Sequence, residues 1–392
     1  MISVAQAQKS VIDYASLLPK QKVELEASSN QFLAQDIIAP ISLPPFRQSA
    51  MDGYAFIYDA NCTSLKVVGK VQAGAAEVPK LKKGEAIRIF TGAAVPAEAD
   101  TVIIQEHTKS EGDQLLIEKL PAKGANIRPI GEQIEKGNLV LKQGHKINEA
   151  SIGFLVGLGL TEIEVYRKPK VAVLMTGDEL QAPGSELKPN HIYESNGIML
   201  KSALKRIGID SIELLKVEDT LEATIKMVKS ALENADVLLV SGGISVGDYD
   251  FVQDALITNE VNENFYKVNQ KPGKPLWFGT KEDKSVFGLP GNPASSLTAF
   301  YVYVLPHLRA RMGSLDPFLP QRKARLTTSI KNIHSKTLFL KAGVTRDEIT
   351  PYTGQASSML NTYALSNALL MVPEEKELLE EGDWVTYIDL NF

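Results

Sequence analysis

From about residue 170 to 310, continuous apolar runs alternate with amphipathic helical segments, and this alternation limits the fold more than any other feature of the chain. "KVAVLMTG" reads as a strand with no polar face, and "SNGIMLKSALKRIG" as a helix that Gly208 closes. "DSIELLKV" is a second strand, followed by "TLEATIKMVKSALENA", a helix with Leu221, Ile225, Val228 and Leu232 on one face. "DVLLVSGG" is the next strand, and the rhythm continues to "SVFGLPGNPASSLTAFYVYVLPHL". Strands apolar on both faces must be covered on both faces, so the pattern predicts a parallel sheet sandwiched between helices.

The flanking text differs. Val4, Ala7, Val11, Ala15 and Leu18 fall at helical spacing behind Ser3, a suitable N-cap, which predicts a helix over 3–18. Short β-prone runs then follow to about 145 ("VELEA", "LKVVGKV", "AIRIF", "TVIIQE", "QLLIE"), separated by glycine, proline and charged turns. Residues 149–159 read as a short connecting helix. After "DPFLPQRKAR" the chain returns to β patterning of a length that suits a small barrel or sandwich. A chain of 392 residues is too long for one core and divides into several domains.

Charge and rare residues narrow the function. A net charge of −5 leaves no broadly basic face for nucleic acid. Cys62 is the only cysteine, which rules out an intrachain disulfide and a cysteine zinc site. The histidines, at 107, 145, 191, 307 and 334, have no metal-ligand spacing, so a divalent cation would be held by carboxylates, as magnesium is. No charged segment leads into an apolar run and no apolar stretch approaches the length of a membrane span, so a cytoplasmic protein is expected.

Ligands of open parallel sheets gather beyond the carboxyl ends of the strands. Three such ends carry polar text here: "TGDEL", "SGGISVGDYD" and "GLPGNP". Ser241, Gly242, Gly243, Ser245 and Gly247 in the second, and Pro290 with Asn292 and Pro293 in the third, offer backbone N–H groups and a helix start to an anion. Asn292 suits the N-cap and Pro293 the first helical position. "KVNQKPGKP" adds Lys267, Lys271 and Lys274 on a stiffened loop. Asp178, Glu179, Asp248 and Asp250 suit a divalent cation accompanying the anion. Each loop by itself reads equally as a tight βα turn with a capping carboxylate; their agreement at one sheet edge favours a ligand. In the β-rich half, Asp52 sits in "SAMDGYA", where a turn in which it bonds its own backbone is the alternative. Thr91 ends "IRIFT", and Arg128 lies in a glycine-bracketed loop suited to an anion or a surface ion pair.

The strings "PPFRQSAMDGYA", "TGAAVP", "NIRPIGE", "MTGDEL", "SGGISVGDYD", "KPGKP", "GLPGNPAS" and "LSNALLMVP" occur in this order. Together they resemble the molybdopterin molybdenumtransferase family, the MoeA proteins and the gephyrin E domain, over roughly residues 40 to 375. The resemblance implies a molybdopterin molybdotransferase that inserts molybdate into adenylylated molybdopterin and releases AMP, assisted by Mg²⁺. It implies a homodimer with shared active sites, served by other proteins that handle molybdopterin. The implied domains are a linking region of 1–45 with 143–168, a β-rich domain of 46–142 that reaches the partner subunit, an α/β molybdopterin-binding domain of 169–314 and a C-terminal β-barrel of 315–392.

Carried over motif by motif, Asp52, Thr91, Glu179, Asp250, Lys267 and Lys271 fall on catalytic positions, and Glu179, Asp248 and Asp250 on metal-holding ones. Arg128 and Asp219 fall on substrate-binding positions, and Lys271, Lys274, Ser295, Ser357 and Ser358 resemble molybdate-holding groups. Asp219 reads equally as the cap of the helix beginning near Thr220. Two departures stand out. Gln133 replaces the family's usual Asp, and Lys336 and Lys341 replace arginines, keeping charge without the bidentate fork. Two other readings are an adenylyltransferase acting one step earlier, which would lack the N-terminal β text, and a protein-binding scaffold, which would have no need of these charged groups.

Overall fold

The computed structural model describes residues 1–244 and 251–392. Its first helix, α1 (Val4–Asp13), is capped by Ser3, which accepts the Gln6 N–H while Gln6 returns a bond to the Ser3 N–H. This reciprocal box satisfies donors that have no helical partner. The helix predicted to Leu18 stops at Asp13, and beyond it Ser16 O accepts from Arg311 Nε. Leu18 stays buried with its N–H bonded to Arg311 O.

Strand Lys20–Glu24 pairs antiparallel with Glu162–Tyr166, and Ile37–Ile38 with Leu139–Leu141, so this small region is closed by segments distant in sequence. Leu25, Leu33, Ile37, Ile147, Leu155, Ile163 and Val165 fill its core. The intervening chain forms a six-stranded mixed sheet in which Gly53–Phe56 lies between the edge strand Thr101–Ile104 and Glu85–Ile89.

The α/β unit runs β1 (Val171–Thr176), α2 (Asn196–Arg206), β2 (Ile212–Val217), α3 (Leu221–Asn234), β3 (Val237–Ser241), α4 (Val252–Thr258), β4 (Asn262–Tyr266), β5 (Trp277–Lys281), β6 (Lys284–Leu289), α5 (Pro293–Ala299) and α6 (Leu305–Arg311). The sheet order is β2-β1-β3-β6-β5-β4. The first four strands are parallel, and β5 is antiparallel to both of its neighbours. Side chains alternate across it: Val171, Val173 and Met175 pack with α1 and α2 on one face, Ala172 and Leu174 with α3 and α4 on the other. The face of α3 differs slightly from the predicted stripe, since Leu221 is exposed and packing begins one turn later with Thr224, Val228, Ala231 and Leu232. His307 on α6 ties three layers together through Val11 O (2.6 Å) and Ser285 Oγ (2.9 Å).

The C-terminal strands β7 (Gln321–Leu326), β8 (Thr337–Thr345), β9 (Glu348–Pro351), β10 (Ala368–Val372) and β11 (Trp384–Asp389) form one sheet in the order β8-β9-β7-β11-β10, and β10 pairs back onto β8. This closure makes a small barrel and leaves no edge within the ring. Gln270–Lys271 adds in parallel to the start of β8, so the lysine loop of the α/β unit is stitched to the barrel.

Candidate functional site

After β1 the chain moves to β2 on one side of it and then to β3 on the other. The loops leaving β1 and β3 therefore diverge, and a crevice opens between them. A cleft of about 760 Å³ lies there. Thr176, Gly177 and Glu179 line it after β1, Asp219 after β2, Ser241 to Ile244 from β3, and Pro290 to Pro293 after β6. Ser358 enters from the barrel domain, and Pro275 brings one end of the "KPGKP" loop to the rim.

Backbone shape fixes the glycine loop. Gly242 has φ +94°, and a Cβ there would stand 3.0 Å from both the carbonyl oxygen and the hydroxyl of Thr176. Only glycine lets the end of β3 lie this close to the end of β1. Asn196, the first residue of α2, joins the loops: its Nδ2 donates to Ser241 Oγ at 2.9 Å and to Gly291 O at 2.7 Å. Its Oδ1 is buried without a hydrogen-bond partner among the described residues. Sequence reading passes over Asn196, Glu194 and Thr176. The "ESNG" string gives only a helix start, which Glu194 helps to cap by accepting the Gly197 N–H at 2.7 Å.

The cleft has an acidic wall. Asp178 and Asp219 exchange bonds, each backbone N–H reaching the other's carboxylate at 3.2 and 3.3 Å. Burial pushes the Asp219 carboxyl above its usual range, and the charges of Asp178 and Glu179 add to this, while the Asp178 N–H works against it. The alternative role for Asp219 as a helix cap belongs instead to Thr220, whose side chain accepts the Ala223 N–H. A β-region threonine directly before the helix has the geometry for that bond and its neighbour does not.

The start of α5 also differs from expectation. Asn292 and Pro293 occupy the N-cap and first-turn positions as predicted, but the N–H groups of Ala294 and Ser295 donate to Ser357 O, and Asn292 Nδ2 donates to Ser357 Oγ at 2.9 Å. The barrel's own backbone, rather than a free ligand, takes these helix donors. Ser295 is buried, and neither it nor Ser357 lines the cleft. Lys267, Lys271 and Lys274 are also outside the lining, on the adjacent loop. Lys267 lies over the Tyr266 ring at 4.5 Å, and Lys271 Nζ is 3.1 Å from His334 Nε2. Ser245, Gly247, Asp248 and Asp250 lie outside the described residues.

Asp52 and Thr91 meet at one end of the β-rich sheet, Arg128 lies on a separate short strand paired with Gln48, and none of the three lines the cleft of its own chain. Asp52 accepts from Thr91 rather than from its own backbone, as the turn alternative would have it. The reason is packing: a Cβ on Gly53 would stand 1.9 Å from Ile103 O, so Gly53 belongs to a tightly paired strand that carries Asp52 toward the turn after Phe90. Ser49 and Ala50 bond to Ala93 and Asn126, and Arg128 pairs with Gln48, which draws the third segment in. Gln133 is exposed beside Leu43, His145 and Ser151 in a separate groove. Lys341, expected at an arginine position, is buried in β8, and Lys336 precedes that strand.

Residues 2–159 match the MoeA N-terminal region (domain I and II), 172–310 a probable molybdopterin binding domain, and 323–390 the MoeA C-terminal region (domain IV). The chain is 33% identical over 401 residues to the molybdopterin molybdenumtransferase of Haemophilus influenzae, covering 100% of this chain and 99% of that protein. It is 33% identical over 404 residues to molybdopterin molybdenumtransferase 2 of Mycobacterium tuberculosis, covering 100% of both. A crystal structure of a molybdopterin biosynthesis MoeA protein from Pyrococcus horikoshii superposes with a TM-score of 0.87 at 28% identity, over 99% of this chain and 100% of that one. Another from the same source gives 0.83 at 31% identity, over 100% of both. With its regions matched in order and its relatives aligned end to end, the chain belongs to the molybdopterin molybdenumtransferase family, transferases of molybdenum cofactor biosynthesis.

Proposed function

We propose that the cleft takes adenylylated molybdopterin and molybdate, and that the chain inserts molybdenum at the dithiolene and releases AMP, with magnesium, as a homodimer sharing its active sites. The observation that carries this reading is the union, in one cleft, of an acidic wall with glycine turns, a barrel serine and the rim of a lysine loop. Such a cleft can hold an oxyanion at one end and a hard cation at the other.

Magnesium fits the donors present. Glu179 and Asp219 offer oxygen only, and Asp219 is crowded by negative charge that a cation would relieve. Magnesium takes one or two carboxylates and keeps its remaining waters. When bound, it supplies charge neutralisation on phosphoryl oxygens. Asp248 and Asp250 are proposed to join these ligands.

The rest falls to the chain. Ser241, Gly242 and Gly243, with Ser245 and Gly247, bring backbone and hydroxyl donors to the pterin phosphate, and Pro290, Asn292 and Pro293 bound the opposite wall. Lys267 and Lys271 offset charge on the phosphoryl oxygens as the phosphoanhydride opens. Molybdate is a tetrahedral dianion, suited to the hydroxyl of Ser358, which lines the cleft, and to Lys271 and Lys274 on the adjacent loop. Asp52, Thr91 and Arg128 reach the cleft from the partner subunit. The test is AMP release from adenylylated molybdopterin with and without molybdate, in chelator and after Mg²⁺ is restored. Release that depends on both supports the reading; release indifferent to molybdate and metal overturns it.

A further inference from the structure

Lys341 lies in β8 with 2% of its surface exposed, and no carboxylate among the described residues pairs with it. Its ammonium donates to three carbonyls of one turn: Gly354 O at 2.9 Å, Ala356 O at 3.2 Å and Met359 O at 2.8 Å. That uses the full donor complement of a lysine. The backbone of Lys341 grips the same turn: its N–H donates to Gln355 Oε1 at 3.0 Å, and its carbonyl accepts Gln355 Nε2 at 2.8 Å. Thr362 Oγ1 adds a bond to Gly354 O at 2.8 Å.

The turn so held contains Ser357 and Ser358. Ser357 meets the start of α5 through its carbonyl and hydroxyl, and Ser358 lines the cleft. The segment is thus fixed on one side by Lys341 and docked on the other against the α/β unit. Burying an unpaired ammonium is costly, and burial pushes the Lys341 pKa down accordingly. Removing the ammonium would leave the carbonyls of Gly354, Ala356 and Met359 without this donor, so the group holds the turn in place as well as the barrel.

We propose that Lys341 is a positioning residue for the cleft: without touching the oxyanion, it sets the turn that docks Ser357 on α5 and so presents Ser358 to it. This rests on the oxyanion reading above. It also accounts for a lysine here without the arginine fork, since three carbonyls converging on one point suit an ammonium.

The test is a double-mutant cycle read by calorimetry with tungstate on the full-length protein. Lys341→Met and Ser358→Ala should each weaken binding about tenfold, and the double variant should bind no more weakly than Lys341→Met alone, since the serine is already misplaced. A residue that only stabilises the barrel would lower the unfolding temperature and leave the folded protein's affinity, and the effect of Ser358→Ala, unchanged. Additive losses, or unchanged affinity in either single variant, overturn the proposal. Should Lys341→Met give no cooperative unfolding transition, Gln355→Ala takes its place in the cycle, with the same non-additivity expected and additivity again decisive against it. If the wild type binds no tungstate, the oxyanion reading itself falls and takes this inference with it; the wild-type titration therefore separates the two failures.

Discussion

The backbone N–H and the hydroxyl of Thr91 both donate to one oxygen of Asp52, each at 2.8 Å. These bonds, the backbone one foremost, hold the Asp52 carboxyl below its usual range, and the charge of Arg88 contributes. The β-rich domain therefore presents a fixed, ionised carboxylate at a point that is not in the cleft of its own chain.

If the partner's cleft is its destination, Asp52→Ala and Lys271→Ala homodimers should both be inactive, and mixing the two should restore activity. Random exchange makes half the dimers mixed, each with one intact site of two, so AMP release should recover to about a quarter of wild type. A mixture that stays inactive despite verified exchange would mean each site is built within one chain.

Asp219 should trade stability for function. Its raised pKa means that stability is full below the ordinary carboxylate range and is lost as pH rises through the folded-state value, so at pH 7 the ionised group is a burden. Asp219→Asn should raise the melting temperature by about 2 °C while increasing the Mg²⁺ needed for half-maximal turnover about tenfold. A lower melting temperature with an unchanged Mg²⁺ requirement would contradict this.

Asn196 links α2 to two cleft loops by its side-chain amide alone. Asn196→Ala should cost about 1–3 kcal/mol in urea unfolding, since it leaves Ser241 and Gly291 short of a donor, and should lower kcat/KM about tenfold or more by loosening both loops. Full activity in a destabilised variant would confine Asn196 to a packing role.

His307 makes stability pH-dependent. Burial, with a smaller push from Arg311, lowers its pKa from 6.5 to about 3 despite the bond to Val11 O. The folded protein keeps the imidazole neutral while the unfolded chain takes up a proton below pH 6.5, so the stabilisation present above 6.5 is lost progressively as pH falls toward 3. This one group should cost about 2 kcal/mol between pH 7 and pH 5 in chemical denaturation. His307→Gln should be less stable at pH 7 but should lack that part of the slope; an identical pH dependence in both proteins would assign the acid sensitivity elsewhere.

The sequence by itself determined what local physics can encode. The run Val171–Met175, apolar at every position, required a strand covered on both faces, and both cores formed there. Ser3 before α1 and Gly208 after α2 signalled helix ends because caps bond within a few residues of themselves, whereas the cap of α3 fell to Thr220 and not to Asp219. The glycine turns after β1 and β3 were equally legible, since only glycine admits their backbone. Tertiary structure decided which groups those turns would face. Asn196 meets Gly291 across 95 residues of chain, and Ser357 takes the helix donors of α5 that sequence offers to an anion. Lys341 reads in the sequence as a lysine at an arginine position and becomes in the fold a buried clamp on a turn. Such partners are set by how separately formed units dock, and periodicity and capping carry no record of it. An ammonium bonds whatever carbonyls converge on it, and only the folded barrel lays β8 against the turn that offers those three.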